Sequence, residues 1–355
     1  MNEGRTHSMP CDDIPYEIDF KPIEEKIKAS RRILIQGPDG LKPFMPSIVG
    51  CLKGLNSSAK VYIDAASLYG ACDLHLEVIN SVNPDLIIHL GHNEYPRSLG
   101  YQKDLDKILS KVAFIPAYSK ARINETVVSK LSNELAQQGF KKVSLTAVIQ
   151  HANLIEQVKK MLEHQGFGVY VPRPAYKEMF IGQVLGCEYS AITLAEKLVD
   201  AHIVIAGGLF HVLGASLSAS KPVYKLDPYR QEYMDMHPLR ERYLKKRLYR
   251  VYKAMDSRTY GLIVGSKTGQ SRKWLENQFI RLLQRHGKSY IIYVADQLNT
   301  QVLGNIDTSN IDAFIVTSCP RLPIDDLEDY PKPVLTPGEA IMAITGKIDR
   351  YIFPW

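Results

Sequence analysis

The chain has 355 residues, about two to three times the length of a typical domain, so its length indicates several domains. Apolar residues make up 45% and charged residues 23%, which is ordinary for a globular protein and excludes an intrinsically disordered chain. The net charge of +6 is too small to indicate nucleic-acid binding without a localised basic patch.

The sequence contains no candidate membrane segment. No apolar run approaches the roughly 18 residues that a bilayer span needs. Residues 1–13 are polar and lack the apolar core of a signal peptide. We therefore expect a cytoplasmic protein with no membrane partner.

One order of predicted elements occurs three times along the chain: strand, helix, strand, helix-containing segment, strand, loop, strand. In the first copy, the predicted strands cover residues 32–37, 60–64, 85–92 and 112–116. The predicted helices of this copy cover residues 43–55 and 73–82. Short apolar strands between longer helices are typical of parallel βαβ units.

The second and third copies repeat this order. The second has predicted strands over residues 142–146, 167–171, 202–207 and 222–226, with a helix over 153–164. The third has predicted strands over residues 261–265, 290–294, 312–317 and 333–335, with a helix over 272–286. Chance alternation in an ordinary α/β enzyme would look similar, but the shared order and near-equal lengths favour triplication.

These copies predict an α/β fold with three similar parallel-sheet domains. We place the domains at residues 1–118, 119–228 and 229–355. The third domain begins with a basic linker helix, predicted over residues 238–255, in which seven Lys and Arg residues accompany an apolar stripe. Such a run of charge usually forms a solvated face.

Five cysteines are too few, and odd in number, for a disulfide framework, and none forms a CxxC pair. Cys72, Cys187 and Cys319 fall one in each copy. Cys72 and Cys187 follow the second predicted strand of their copies, whereas Cys319 follows the third. Because ligand sites of parallel sheets lie at the carboxyl ends of strands, three such edges could gather three thiolates.

The alternative for each cysteine is a buried thiol that behaves as a small apolar side chain. We keep that interpretation for Cys11 and Cys51. Three thiolates suit an iron–sulfur cluster better than structural zinc, which needs four ligands. A 4Fe-4S cluster with three cysteines keeps one iron open, as a catalytic site does for its substrate.

Several segments in the same order resemble the archaeal diphthamide synthase family, the 2-(3-amino-3-carboxypropyl)histidine synthases. The resemblance extends over the chain from about residue 20. The segments that carry it are YGACD (69–73), HLGH (89–92), GQVLGC (182–187), GLIVGSKTGQ (261–270) and TSCPR (317–321) with IDD (324–326).

The resemblance implies a homodimer whose three-domain subunits are arranged pseudo-threefold around a central 4Fe-4S cluster. It implies a transferase that moves the 3-amino-3-carboxypropyl group of S-adenosylmethionine to a histidine of translation elongation factor 2. This is the first step of diphthamide biosynthesis. The implied mechanism is a radical one, which requires an electron donor.

Two further residues are candidates for binding S-adenosylmethionine. His92 follows a predicted strand end, and Gln270 closes a strand-to-helix loop whose backbone N–H groups could meet a carboxylate. The alternatives are a hydrogen-bonded structural histidine and a plain helix start capped by Ser271. The basic linker helix could likewise contact an acidic or RNA-mimicking surface of the protein substrate.

Two other functions stay open. A quinolinate-synthase-like enzyme would use the open iron as a Lewis acid and need no S-adenosylmethionine. A non-catalytic electron-transfer subunit would be expected to have lost one or more of the three cysteines. All three are present, which favours the catalytic homodimer.

Overall fold

The computed structural model describes residues 14–100 and 105–355. Three larger sheets are present in these ranges, together with one pair of short strands. The chain divides into two compact units. The first holds the described parts of Met1–Tyr95 and Gln102–Ala121, and the second holds those of Pro96–Tyr101 and Arg122–Trp355.

The first unit contains one parallel sheet in the order β3-β2-β4-β5 and the antiparallel pair β1–β6. Its strands are β1 (Tyr16–Glu17), β2 (Arg32–Gln36), β3 (Lys60–Ile63), β4 (Leu86–Leu90), β5 (Val112–Ile115) and β6 (Tyr118–Ser119). Its helices are α1 (Glu24–Ala29), α2 (Met45–Leu55), α3 (Leu76–Val82) and α4 (Asp106–Leu109).

The second unit contains two sheets. The first of them has the order β11-β10-β9-β7-β8, and all its pairs are parallel except β10–β11. Its strands are β7 (Lys142–Ala147), β8 (Gly168–Tyr170), β9 (Ala201–Ile205), β10 (Val223–Asp227) and β11 (Glu232–Asp235). The helices around it are α5 (Glu125–Gln137), α6 (Ile155–His164), α7 (Ser190–Ala195) and α8 (Phe210–Ser218).

The other sheet of the second unit is parallel throughout, in the order β13-β12-β14-β15. Its strands are β12 (Thr259–Gly265), β13 (Ser289–Ala295), β14 (Ala313–Val316) and β15 (Val334–Leu335). Its helices are α9 (His237–Met255), α10 (Lys273–Arg285), α11 (Thr300–Ile306) and α12 (Pro337–Thr345).

All three sheets have the same strand order when strands are numbered within each repeat. The second strand lies beside the first, the third on the other side of the first, and the fourth outside the third. The α/β fold built from several parallel sheets is therefore confirmed. The bounds near residues 118 and 228 stay predictions.

Each repeat also carries the same polar contact at the start of its first strand. One carboxylate oxygen of an aspartate before the third strand accepts two consecutive backbone N–H groups. Asp85 binds those of Arg31 and Arg32 at 2.9 and 2.9 Å. The equivalent acceptors in the other repeats are Asp200, at 2.8 and 2.9 Å, and Asp312, at 2.8 and 2.9 Å.

The predicted helix over 153–164 buries the face that its spacing indicated. Four apolar residues of this predicted helix are buried in the core of the second sheet: Leu154, Ile155, Val158 and Leu162. Met161 packs against this core and is partly buried. Three or more apolar side chains at helical spacing suffice to fix which side of a helix faces a sheet. No helix in the described ranges is both long and apolar enough to cross a bilayer.

Helix α9 differs from the prediction in its apolar stripe, of which Leu248 is 37% exposed, and in its charged residues. Its charged residues do not all form a solvated face, because Arg247 is 1% exposed. Residues of α9 pack against α8 of the second repeat and α12 of the third. The two repeats of the second unit are thus joined through a helix that the sequence predicted as a linker.

Candidate functional site

Cys187 lies in a tight turn between β8 and α7. Leu185 and Glu188 form an antiparallel bridge around it, with N···O distances of 3.1 and 3.3 Å. The segment before the turn is tied to β7, since the N–H of Val184 donates to the carbonyl of Ala147 at 3.0 Å. Cys187 is partly buried. The sheet therefore holds the turn while the thiol stays partly accessible.

Cys319 lies just past the carboxyl end of β14, as the sequence predicted. Thr317 still bonds to the carbonyl of Ile263 on the neighbouring strand, through its N–H at 3.0 Å and its hydroxyl at 3.1 Å. The carbonyl of Cys319 accepts the N–H of Leu322 at 3.2 Å and so begins a helical turn over Leu322–Asp326. The thiol is partly buried between a strand end and a turn.

The structure brings Cys187 and Cys319 close enough for their charges to interact. Burial and the neighbouring Cys187 raise the pKa of Cys319 to about 11, while Arg272 and Arg321 act in the opposite direction. Burial raises the pKa of Tyr189 well above its usual value, and both cysteines contribute to that increase. Two thiolates at such a place repel each other unless a cation or metal group compensates them.

Tyr189 is 4% exposed, and its hydroxyl has no hydrogen-bond partner among the residues described. The hydroxyl lies against Gly214 of α8, where a Cβ would come within 1.9 Å of the oxygen, so only glycine leaves room for it. A buried hydroxyl without a partner costs free energy. A group that accepts hydrogen bonds, such as a sulfur-rich cluster between the two thiols, fits this donor.

Arg272 is the buried cation of this site, with 2% exposure. Its guanidinium donates to the carbonyl of Thr317 at 3.2 Å and to that of Ser318. It also lies over the indole ring of Trp355, 4.4 Å from the ring centroid. The indole N–H of Trp355 donates to the carbonyl of Cys187 at 3.0 Å.

Gly265 allows the loop that carries Arg272 to approach the Cys319 segment. A Cβ at residue 265 would meet the Cβ of Ser318 at 2.5 Å and the backbone oxygen of Gln270 at 3.1 Å. The loop after β12 and the segment after β14 therefore pack backbone against backbone.

A mainly apolar cavity of about 350 Å³ is lined in part by the turn that follows Cys319. Arg321 lies over the ring of Phe210, with its guanidinium carbon 5.5 Å from the centroid, and pairs with Asp325 at 3.1 Å. The cavity is lined by Leu209, Phe210, Leu213, Leu239, Tyr243, Ile324 and Asp325. The lining is mainly apolar, and its one carboxylate is already paired with Arg321.

In the first unit, Cys72 lies in the loop between β3 and α3 and is partly buried. Asp64 at the end of β3 accepts the amide of Gln36 at 3.0 Å and lies 2.6 Å from Nδ1 of His75. The other ring nitrogen of His75 is 3.6 Å from Asp73. The hydrogen bonds to Asp64 and Asp73 raise the pKa of His75 to about 9. This network closes both ends of the Cys72 loop.

His92 lies in the same unit, at the carboxyl end of β4. Its ring centroid is 5.3 Å from that of His89, which is fully buried. Neither ring nitrogen of His89 has a hydrogen-bond partner in the described part of the chain. Burial holds the pKa of His89 well below its usual value, and the charges of His92 and His75 add to this effect. Burial therefore favours the neutral form of the His89 imidazole.

Gln270 is buried at 7% exposure in the loop before α10. The alternative with Ser271 as helix cap is wrong, because α10 begins at Lys273 after an Arg272 that makes no side-chain cap. Cys51 is buried in α2 within the first core. Cys11 lies outside the described residues.

Within neither unit do three or more described His, Cys, Asp or Glu side chains form a group able to hold a metal ion. The second unit supplies two neighbouring thiols, and the first supplies Cys72 in an anchored loop. That all three ligate one cluster stays a prediction, as do the roles of His92 and Gln270.

Sequence reasoning missed Arg272, Trp355, Tyr189 and His75. Tyr189 and His75 each lie within three residues of a predicted cysteine ligand, and Arg272 follows the predicted Gln270 by two residues. Proximity to those motifs was the signal that could have identified them. Nothing in the sequence near Trp355 links it to Cys187.

The model of the diphthamide synthesis protein family matches residues 37–352 of this chain. The chain is 31% identical over 340 residues to the 2-(3-amino-3-carboxypropyl)histidine synthase of Pyrococcus horikoshii, with 95% of this chain and 93% of that protein covered. The enzyme of the same name from Methanocaldococcus jannaschii is 26% identical, with 90% and 86% covered.

A solved structure agrees with these relatives. A crystal structure of Dph2 from Pyrococcus horikoshii with a 4Fe-4S cluster has a TM-score of 0.79 and 29% identity, covering 95% of this chain and 93% of that one. Because the family model spans most of the chain and the solved structure shares its fold over the same extent, the chain belongs to the diphthamide synthesis protein family.

Proposed function

We propose that this chain transfers the 3-amino-3-carboxypropyl group of S-adenosylmethionine to a histidine of translation elongation factor 2. This is the first step of diphthamide biosynthesis. The observation that carries the proposal is the pair of neighbouring thiols, Cys187 and Cys319, in a family member that is similar to named synthases over almost its whole length. The enzyme is a transferase of the radical S-adenosylmethionine type.

The proposed cofactor is a 4Fe-4S cluster held by Cys72, Cys187 and Cys319. Support comes from the Dph2 structure, whose protein carries such a cluster. Further support comes from the Tyr189 hydroxyl, a buried donor without a partner near two of these thiols. When bound, the cluster supplies the electron that cleaves a carbon–sulfur bond of the sulfonium.

The residues around the thiols have separate tasks. Arg272 provides a buried positive charge beside a group with three thiolate ligands. His75, between Asp64 and Asp73, holds the loop of Cys72. In this proposal the apolar lining of the cavity near the turn after Cys319 excludes water from the co-substrate. His92 and Gln270 contact S-adenosylmethionine.

The proposal includes two partners besides the protein substrate: a second copy of this chain and an electron donor. The enzyme works as a homodimer in the cytoplasm, and an external donor delivers one electron for each turnover. Sedimentation at micromolar concentration tests the first statement, because a monomer under those conditions would contradict it.

The test of the function is product analysis. Anaerobically reconstituted protein is reduced with dithionite and mixed with S-adenosylmethionine. We expect methylthioadenosine, because the aminocarboxypropyl fragment leaves the sulfur. With elongation factor 2 present, that fragment should appear on one histidine. 5′-Deoxyadenosine as the main product would refute the proposed bond cleavage.

The same assay separates the alternatives. A quinolinate-synthase-like enzyme would leave S-adenosylmethionine intact, since a Lewis acid does not reduce a sulfonium. An electron-transfer subunit would also leave it intact when tested alone, and would cleave it only with a catalytic partner. The Cys319→Ala protein serves as the control for cluster-independent breakdown of the sulfonium.

A further inference from the structure

Arg272 and Trp355 connect the two cysteine segments of the second unit. Trp355 donates its indole N–H to the carbonyl of Cys187 at 3.0 Å. Arg272 donates to the carbonyls of Thr317 and Ser318, the two residues before Cys319. Because the guanidinium lies 4.4 Å from the centroid of the indole ring, the contacts form one continuous chain from Cys187 to Cys319.

Each contact in this chain depends on the particular side chain. A guanidinium is planar, so it can stack on an aromatic ring while its N–H groups point outward to carbonyl oxygens. An ammonium has the charge but not this geometry. The indole offers both a ring face for the cation and one N–H for a carbonyl. Phenylalanine would keep the ring and lose the N–H.

The place of Arg272 also matters electrostatically. It is 2% exposed, so water screens its charge poorly. Its guanidinium donates to the carbonyls of the two residues before Cys319, so its charge lies close to that cysteine segment. Buried charges and hydrogen bonds around a cluster are among the factors that set its reduction potential.

We propose that Arg272 and Trp355 form a clamp that holds the Cys187 and Cys319 segments together, and that the guanidinium favours the reduced state of the cluster. The second half rests on the proposed function, whereas the first concerns the protein alone. Uptake of one electron from the external donor adds one negative charge to the cluster. A fixed positive charge beside it stabilises that added charge. Both residues act through position and charge, and neither touches the reacting atoms in this proposal.

The clamp can be tested without any cluster, because the chain has only two tryptophans, Trp274 and Trp355. Trp274 is 48% exposed on α10, and Trp274→Phe leaves Trp355 as the sole indole. In that background we expect Arg272→Gln to shift the emission of Trp355 to longer wavelength as the ring loses its cover. Arg281→Gln removes an exposed charge from the same helix and should leave the emission unchanged.

The conservative variants distinguish the clamp from a general loss of packing. In the cluster-free Trp274→Phe protein, Arg272→Lys should also shift the emission, because an ammonium does not stack as a guanidinium does. We expect each of the single variants, Trp355→Phe and Arg272→Gln, to lower the melting temperature. The double variant should lower it by less than the sum of the two single decreases, because both changes break the same contact. Unchanged emission in Arg272→Gln, or strictly additive losses, would overturn the clamp.

The electrostatic half is tested by redox titration of the reconstituted cluster, monitored by electron paramagnetic resonance. We expect Arg272→Gln to lower the reduction potential of the cluster and Arg272→Lys to lower it much less. Arg281→Gln is the control and should leave the potential unchanged. An Arg272→Gln cluster with the parent's potential would overturn this half. Failure of every variant and the parent to bind iron would instead count against the proposed function, and the emission experiment would still decide the clamp.

Discussion

Arg247 and Glu339 form a doubly hydrogen-bonded ion pair in the interior of the second unit. Nε of Arg247 donates to Oε1 at 2.7 Å and Nη2 donates to Oε2 at 2.6 Å, with both side chains at most 1% exposed. The remaining donors of the guanidinium reach the carbonyls of Pro323 and Val334, each at 2.7 Å. The pair joins α9 to α12 and to the turn that follows Cys319.

Replacing Arg247 by Met should strongly destabilise the protein, because Glu339 would be left buried without its partner. Removing one member of a buried pair typically costs about 3–5 kcal/mol in the free energy of unfolding. Urea denaturation measures this. Lys246→Met is the control, since Lys246 is partly exposed and pairs with Glu328 at 2.8 Å and Asp329 at 2.9 Å. Its loss should cost about 1 kcal/mol or less.

Asp200→Ala should lower the free energy of unfolding by about 1 kcal/mol, as the loss of a helix N-cap does. The backbone N–H groups of Lys141 and Lys142 would lose their common acceptor. These bonds hold the pKa of Asp200 below its usual value, so the stabilisation is present above about pH 4 and is lost as the pH falls below it. The free energy of unfolding should therefore depend differently on acidic pH in the parent and in Asp200→Asn. An identical pH dependence in the two proteins would contradict this account.

His75 should make stability depend on pH on the alkaline side. Its pKa is about 9 in the folded protein and near 6.5 in the unfolded chain. The stabilisation is therefore complete below about pH 6.5 and is lost as the pH rises through 9. We expect the difference in unfolding free energy between the parent and His75→Asn to shrink by about 2–3 kcal/mol between pH 6.5 and 9.5. A constant difference would show that His75 is not held in its charged form.

Cys72→Ala, Cys187→Ala and Cys319→Ala should each abolish or gravely weaken the brown chromophore after anaerobic reconstitution. The measurements are visible absorption and iron and sulfide content per chain. Cys51→Ala and Cys11→Ala are the controls and should keep both. A normal cluster in any of the first three variants would remove that cysteine from the ligand set.

The repeat, its twelve strands and five of the helices could be predicted from the sequence because they depend on local periodicity. The predicted strand at 85–92 corresponds to β4 (Leu86–Leu90), and the predicted helix at 272–286 to α10 (Lys273–Arg285). The antiparallel strand β11 was missed, because four partly exposed residues at a sheet edge carry little periodic signal. Strands β1 and β6 were also missed, because two residues are too few to show an alternating pattern.

The site could be predicted only in part, because motifs mark ligands better than the residues that support them. The positions of Cys187 and Cys319 at strand ends followed from the repeat. The burial of Arg247 did not, because its partner Glu339 lies 92 residues further along the chain. The contact between Trp355 and Cys187, 168 residues apart, is of the same kind.

The three aspartates that precede the third strands follow the repeat strictly. The three cysteines do not. Asp85, Asp200 and Asp312 occupy the same place in all three repeats, as expected of a feature present before the gene segment was copied. Cys72 and Cys187 share one place, but Cys319 occupies another. A symmetric trimer of identical single repeats would place every cysteine in the same loop. In a fused chain each copy mutates separately, so one repeat can place its thiol in a different loop from the other two.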